Sequence, residues 1–141
     1  MPLNQYRSEL WEKVLRTNVT AQFQLTRSLM PLLEQSTHGG SIIFTTSGAG
    51  QSSRAFWGAY AVSKCAVEGL MRGWSAEQEN LGELRINAIN PGATRTAMRA
   101  KAYPAENPSD LKTADQIIWA YLYLLGNDSL GVNGKTIHAQ Q

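Results

Sequence analysis

The chain has 141 residues, of which 43% are hydrophobic and 17% charged, with a formal net charge of +2. This composition is typical of one small globular domain and carries no strong electrostatic signal. The basic residues are scattered, so nucleic acid is not an expected partner. No leader segment opens the chain and no apolar stretch approaches the roughly 20 residues that span a bilayer, which predicts a cytoplasmic protein with no membrane partner.

The first predicted element is a helix over residues 8–33. Its apolar residues form a stripe that is too broad for a purely surface helix; they are Trp11, Val14, Leu15, Phe23, Leu25, Leu29, Leu32 and Leu33. Pro31 is expected to loosen the last turn. Asn18 lies within this helix, in the sequence Thr17-Asn18-Val19-Thr20.

A buried strand is predicted over residues 41–46, because this run is β-branched, aromatic and bounded by glycines. Ser47 follows directly and therefore lies at the carboxyl end of the strand. Ligands of open α/β sheets bind at that edge, although a serine in this position is also an ordinary turn residue.

A second helix is predicted from Tyr60 to about Glu79. The spacing Tyr60-Ala61-Val62-Ser63-Lys64 puts a phenol and an ammonium on one face, one turn apart. A phenol is a poor acid-base catalyst at neutral pH unless a nearby cation stabilises its phenolate, which Lys64 can do. An isolated pair with this spacing is more often a half-buried ring beside a solvated charge.

A second strand is predicted over residues 84–90, and it ends at the loop Pro91-Gly92-Ala93-Thr94-Arg95-Thr96. Residues 97–108 are predicted to form a loop with at most a short helix. Arg95 and Arg99 are candidates for contact with a phosphate or an acidic group, or are simply solvated.

The last predicted elements are a helix over residues 114–125, which stops at Gly126 as helices often do at glycine, and a strand over residues 135–138. The order helix, strand, helix, strand, helix, strand is the signature of a parallel α/β fold. We also expect an unpaired sheet edge. His38, His138 and the lone Cys65 give no metal signature.

Taken together, four motifs resemble the short-chain dehydrogenase/reductase family, in residues, order and spacing. They are Asn18, Ser47, the Tyr60-x-x-x-Lys64 pair and the stretch from Asn87 to Thr96. The resemblance extends from Trp11 to about His138 and implies a partial Rossmann-like, doubly wound parallel sheet, with residues 1–141 forming one domain on the catalytic and nicotinamide side.

The resemblance implies an oxidoreductase that uses NAD or NADP to reduce a carbonyl or oxidise an alcohol, without a metal. Tyr60 would be the general acid or base, and Ser47 would hold the substrate oxygen. Lys64 would stabilise the phenolate and bind the nicotinamide ribose, and Asn18 would bind a water that leads to solvent. Cofactor contacts would come from Tyr60, Lys64, Pro91, Gly92, Thr94 and Thr96. Trp57 is a candidate for the substrate pocket, and residues 97–108 would close over the substrate.

The chain departs from the family pattern at its start, because the glycine-rich phosphate loop that opens the family's first βαβ unit is absent. We therefore expect a fragment that corresponds to the carboxyl-terminal half. The family commonly dimerises through helices that correspond to residues 8–33 and 60–79, so a homo-oligomer is the expected partner. The alternative function is a non-catalytic fragment that acts only as an oligomerisation or assembly module.

Overall fold

The computed structural model describes residues 1–52, 55–82 and 84–140. Within them, helices alternate with three strands, in the order that the sequence predicts. The strands are β1 (Ser41–Thr45), β2 (Arg85–Asn90) and β3 (Thr136–His138). The α-helices are α1 (Ser8–Leu15), α2 (Ala21–Glu34), α3 (Gly48–Gln51), α4 (Gly58–Glu77), α5 (Ala97–Ala102) and α6 (Ala114–Leu125). A π-helical turn (Arg16–Thr20) connects α1 and α2. Short 3-10 turns lie at Leu3–Gln5, Pro108–Asp110 and Asn127–Ser129.

The three strands form a parallel sheet in the order β1-β2-β3. Thr45 at the end of β1 pairs with Ile89, and Asn90 at the end of β2 pairs with His138. The loops that follow the strands therefore leave the sheet at one edge, where α/β proteins bind their ligands. This arrangement confirms the predicted parallel α/β fold.

Each face of the sheet has its own apolar core, because side chains alternate between faces along a strand. Phe44 and Ile86 pack on one face against Val67 and Met71 of α4. On the other face, Ile89 packs against α6, including Ile117 and Leu124. The crossovers through α4 and α6 thus cover opposite faces, which is the doubly wound arrangement.

Most predicted boundaries are correct within two residues, and α6 begins and ends where the sequence predicts. The predicted helix over residues 8–33 is helical throughout, but a π-helical turn at Arg16–Thr20 divides it into α1 and α2. The helix also continues past Pro31 to Glu34, although proline lacks the N–H that would bond to the carbonyl oxygen of Arg27. Gly126 does end α6, but with φ −86°, so the left-handed conformation is not the reason for glycine there.

β1 is an edge strand within the described part of the chain, since its recorded partner is β2. A groove of about 430 Å³ runs along it, bordered by α2 residues that include Leu25 and Leu29. The expected unpaired edge is therefore present. Among residues 1–52, 55–82 and 84–140, no helix has both the length and the apolarity needed to cross a membrane.

Candidate active site

Tyr60 and Lys64 lie in the first two turns of α4, both half-buried. The Lys64 ammonium donates a 2.8 Å hydrogen bond to the carbonyl oxygen of Thr45, the last residue of β1. Its Nζ is 5.8 Å from the centre of the Tyr60 ring. Burial lowers the pKa of Lys64. The pair is thus fixed at the carboxyl edge of the sheet, with the cation behind the phenol.

The position of Tyr60 depends on how α4 begins. Gly58, the first residue of α4, has φ +49°, a conformation that favours glycine. A Cβ atom at Gly58 would overlap the ring of Tyr6. The close approach of Tyr6 therefore requires glycine two residues before Tyr60, and it holds the first turn of the helix in place.

Asn18 reaches α4 through Ser63. Asn18 Nδ2 donates to Ser63 Oγ at 3.0 Å, and Ser63 Oγ donates to the carbonyl oxygen of Tyr60 at 2.7 Å. Asn18 lies at the centre of the π-helical turn, a feature that is often found at functional sites. The structure thus places Asn18 against the turn of α4 that carries Tyr60 and Lys64.

Ser47 forms the N-cap of α3, where its hydroxyl accepts a 3.3 Å bond from the amide of Ala49. The α3 backbone packs closely on α4: a Cβ atom at Gly50 would lie 2.8 Å from the carbonyl oxygen of Lys64. Cys65 Sγ lies 3.8 Å from the carbonyl oxygen of Ala49. These contacts bring the strand end that carries Ser47 onto the helix that carries Tyr60.

The loop after β2 is braced from two sides. Asn90 Oδ1 accepts from the Gly92 amide at 3.1 Å, and Gly92 has φ +73°. The Gln140 side-chain amide donates to the carbonyl oxygens of Pro91 (2.8 Å) and Ala93 (3.0 Å). The Thr94 hydroxyl donates to the Gly92 carbonyl at 3.3 Å. The backbone at this carboxyl end is therefore preformed.

Thr96 caps α5, since its hydroxyl oxygen accepts from the Arg99 amide at 3.1 Å. Both arginines of the segment have partners within the chain. Arg95 donates to the carbonyl oxygens of Pro108 (2.8 Å) and Leu111 (3.3 Å). Arg99 forms a bidentate pair with Glu106, both bonds 2.7 Å long. Both guanidiniums thus bind partners within the chain, whereas the sequence had left contact with an anion or simple solvation as the alternatives.

Trp57 lies between two tyrosines. Its ring centre is 5.5 Å from that of Tyr60 and 6.1 Å from that of Tyr103. Tyr103 follows α5, so the segment of residues 97–108 does fold back towards the Tyr60 side of α4. It contains the short helix α5, as predicted.

Asn18 is therefore linked through Ser63 to the turn of α4 that carries Tyr60 and Lys64. Ser47 caps α3, which packs on α4, and Pro91, Gly92, Thr94 and Thr96 belong to the neighbouring loop. Sequence reasoning missed Ser63, Gln140 and Glu106, which hold these groups in place. The Gly48-Ala49-Gly50 sequence after Ser47 was the available signal for a close backbone contact. Within the described part of the chain, no group of three or more His, Cys, Asp or Glu residues is arranged to hold a metal ion.

Comparisons with known proteins point to one family. A family model described as short chain dehydrogenase matches residues 1–107. The chain is 48% identical to the uncharacterised oxidoreductase YciK of Escherichia coli over 139 residues, which cover 99% of this chain and 54% of that protein. A crystal structure from Shigella flexneri, complexed with NADP, superimposes with a TM-score of 0.94 at 47% identity, covering 99% of this chain and 57% of that one. An E. coli CFT073 structure complexed with NADPH gives the same TM-score, identity and coverage.

Proposed function

The chain belongs to the short-chain dehydrogenase/reductase family, and from that premise we propose that it serves NAD(P)-dependent reduction of a carbonyl compound, or the reverse oxidation of an alcohol. Its relatives are named as oxidoreductases, and two structural neighbours hold NADP and NADPH. The chain spans about half the length of these relatives. The cofactor and the reaction are therefore proposals for this chain.

The residues at the carboxyl edge fit the nicotinamide side of such a cofactor. Lys64 has three N–H donors, and its bond to Thr45 leaves donors for ribose hydroxyls. The left-handed backbone at Gly92 lets the main chain approach a flat ring closely. The backbone of Thr94 and the hydroxyl of Thr96 would hold the carboxamide and a phosphate. When bound, the reduced nicotinamide supplies a hydride, and the oxidised form accepts one.

Tyr60 moves the proton in this proposal. In the reductive direction its Oη gives a proton to the carbonyl oxygen while the carbonyl carbon gains the hydride, so that carbonyl, hydride and proton together form the alcohol. The Ser47 hydroxyl holds the same oxygen. The Lys64 ammonium stabilises the phenolate that remains on Tyr60, across the 5.8 Å between Nζ and the ring centre.

Asn18 binds the water through which a proton returns from solvent. Its Nδ2 is engaged by Ser63, which leaves the amide oxygen to bind the water that leads from Lys64 to the surface. In the oxidative direction the same groups work in reverse, with Tyr60 as the base.

One observation carries the proposal: the Lys64 ammonium is bound to the carbonyl of Thr45 at the carboxyl edge of the sheet, on the same face of α4 as Tyr60. A solvated lysine beside a structural tyrosine would not be held against a strand end. The assembly-only alternative gains no support from the described contacts. Association into a homo-oligomer through helices 8–33 and 60–79 remains part of the proposal, and the mass in solution tests it.

The test is turnover of carbonyl compounds with NADPH or NADH by the chain, compared with Tyr60→Phe. We expect the substitution to lower kcat by about 10²- to 10⁴-fold, the usual contribution of a general acid, while cofactor affinity is kept. Tyr123→Phe, on α6, is the matched control and should leave kcat unchanged. Unimpaired turnover by Tyr60→Phe would disprove the assignment.

A further inference from the structure

Three aromatic rings form a row, and one of them is that of Tyr60, the proposed proton donor. Trp57 is the middle ring, 5.5 Å from Tyr60 and 6.1 Å from Tyr103, with interplanar angles of 46° and 43°. All three residues are half-buried. Because the rings are tilted and do not stack face to face, part of each ring surface stays uncovered by the next ring.

Tyr103 is held in this row by an ion pair. The Arg99 guanidinium carbon lies 3.7 Å from the centre of the Tyr103 ring, so the cation covers that ring. Glu106 fixes the guanidinium through two bonds of 2.7 Å. The arginine and the carboxylate neutralise each other, and Arg95 is bound to backbone carbonyls. These groups orient Tyr103 without presenting a free charge to a ligand.

Exposed apolar side chains also occur in the two chain segments that carry these rings. Phe56, directly before Trp57, is 70% exposed, and Met98 of α5 is 68% exposed. Phe56 also has φ +69°. A bulky residue in this conformation is strained, and such strain is concentrated at functional sites. The segments that contain Trp57 and Tyr103 therefore also present exposed aromatic and apolar side chains.

We propose that Trp57 and Tyr103 form an aromatic wall that selects neutral carbonyl compounds with a planar apolar ring next to the carbonyl group. The inference rests on the proposed function, since Tyr60 places the carbonyl oxygen and Trp57 lies within one ring width of Tyr60. A planar ring can stack on or meet the edge of each wall residue, whereas a puckered saturated ring cannot do so equally well. Each aromatic contact contributes about 2- to 12-fold in affinity.

The test compares phenyl methyl ketone with cyclohexyl methyl ketone, which have the same carbon skeleton but differ in planarity. Dissociation constants are measured by ligand-observed NMR on the 141-residue chain with and without NADPH, and kcat/KM wherever turnover is found. We expect the phenyl compound to bind about 5- to 10-fold more tightly. Trp57→Leu and Tyr103→Leu should each bring this ratio down towards one.

Two further variants separate recognition from folding. Trp57→Phe keeps an aromatic ring and should retain most of the preference. Trp119→Leu removes an exposed tryptophan from α6, 51% exposed, and should leave the ratio unchanged. Circular dichroism establishes that each variant is folded.

The outcomes distinguish this inference from the proposed function. A phenyl preference that depends on Trp57 and Tyr103, without turnover of either ketone, would support the wall and contradict the catalytic proposal. Equal dissociation constants, no binding of either ketone, or a preference that survives both leucine substitutions would overturn the wall. Tyr60→Phe should keep the phenyl preference in binding even though it lowers kcat.

Discussion

Lys64 has both a structural role and a role in the proposed chemistry. Its side chain ties α4 to the end of β1 and at the same time keeps a cation near the phenol of Tyr60. Burial lowers the pKa of Lys64, so its ammonium holds the proton less tightly than a solvated lysine does. In the proposed mechanism, that change favours proton exchange along the path from Tyr60 to solvent.

The bond between Asn18 and Ser63 should contribute measurably to stability. Ser63 is fully buried, and Asn18 supplies a donor to its hydroxyl at 3.0 Å. We expect Asn18→Ala and Ser63→Ala to be coupled by about 0.5–1.5 kcal/mol in a double-mutant cycle of urea unfolding, the usual contribution of one hydrogen bond. Strictly additive effects would show that the pair is not formed in solution.

The spacing of Tyr60 and Lys64 was enough to predict that they share a helix face, because that follows from helix geometry alone. The partner of Asn18 was not predictable in the same way. Ser63 lies 45 residues further along the chain, and the π-helical turn that aims Asn18 at it has no sequence signature that we recognise. The role of Gln140, which holds the loop at Pro91, likewise depends on how the end of β3 is placed.

At the level of elements, the contact between α3 and α4 depends on Gly50. An added Cβ atom would lie 2.8 Å from both the Lys64 carbonyl oxygen and the Thr46 hydroxyl. We expect Gly50→Ala to destabilise the chain by about 1–3 kcal/mol, the usual cost of overpacking.

Gly69→Ala is the matched control, because Gly69 is exposed on α4 and an added Cβ atom would have no neighbour within 4 Å. This substitution should raise stability by about 0.5–1 kcal/mol, because alanine favours a helix over glycine. Denaturant unfolding measures both variants. Equal effects of the two substitutions would contradict the close packing of α3 on α4.

The segment after α5 should respond to acid through Glu106. Its hydrogen bonds to Arg99 lower the pKa of the Glu106 carboxyl below the ordinary value of 4.5. A lowered pKa means that the pair stabilises the folded state above pH 4.5 and that this contribution is lost as the pH falls through the lowered value. The Trp57 environment should change over the same range, because Arg99 covers Tyr103 and Tyr103 contacts Trp57.

Fluorescence of the chain as a function of pH measures this change, with Glu106→Gln as the comparison. The variant should lack the acid transition and should resemble the acid form of the parent at neutral pH. Identical pH profiles for the two proteins would show that the ion pair does not hold Tyr103. The sequence did not predict the ion pair between Arg99 and Glu106, because the conformation of the intervening loop brings these two residues together.

For the whole molecule, the alternation of elements was sufficient to predict a parallel sheet, whereas the doubly wound arrangement was implied by the family resemblance. The sequence also indicated an unpaired sheet edge, and the structure shows that β1 is such an edge within the described part of the chain. The chain spans about half the length of its relatives, and exposed leucines border the groove along that edge. The alternation of elements describes this chain alone, so it does not predict what packs against this edge.

The most direct test of the account is a titration of the 141-residue chain with reduced nicotinamide mononucleotide and with NADPH, followed by energy transfer from the tryptophans. The mononucleotide probes the contacts of the nicotinamide side alone. We expect saturable binding of both compounds that Lys64→Met weakens by about 10-fold or more, the effect of losing charge-assisted hydrogen bonds, whereas Lys135→Met leaves it unchanged. A folded chain that binds neither compound, or that binds them equally well without Lys64, would contradict the proposed site.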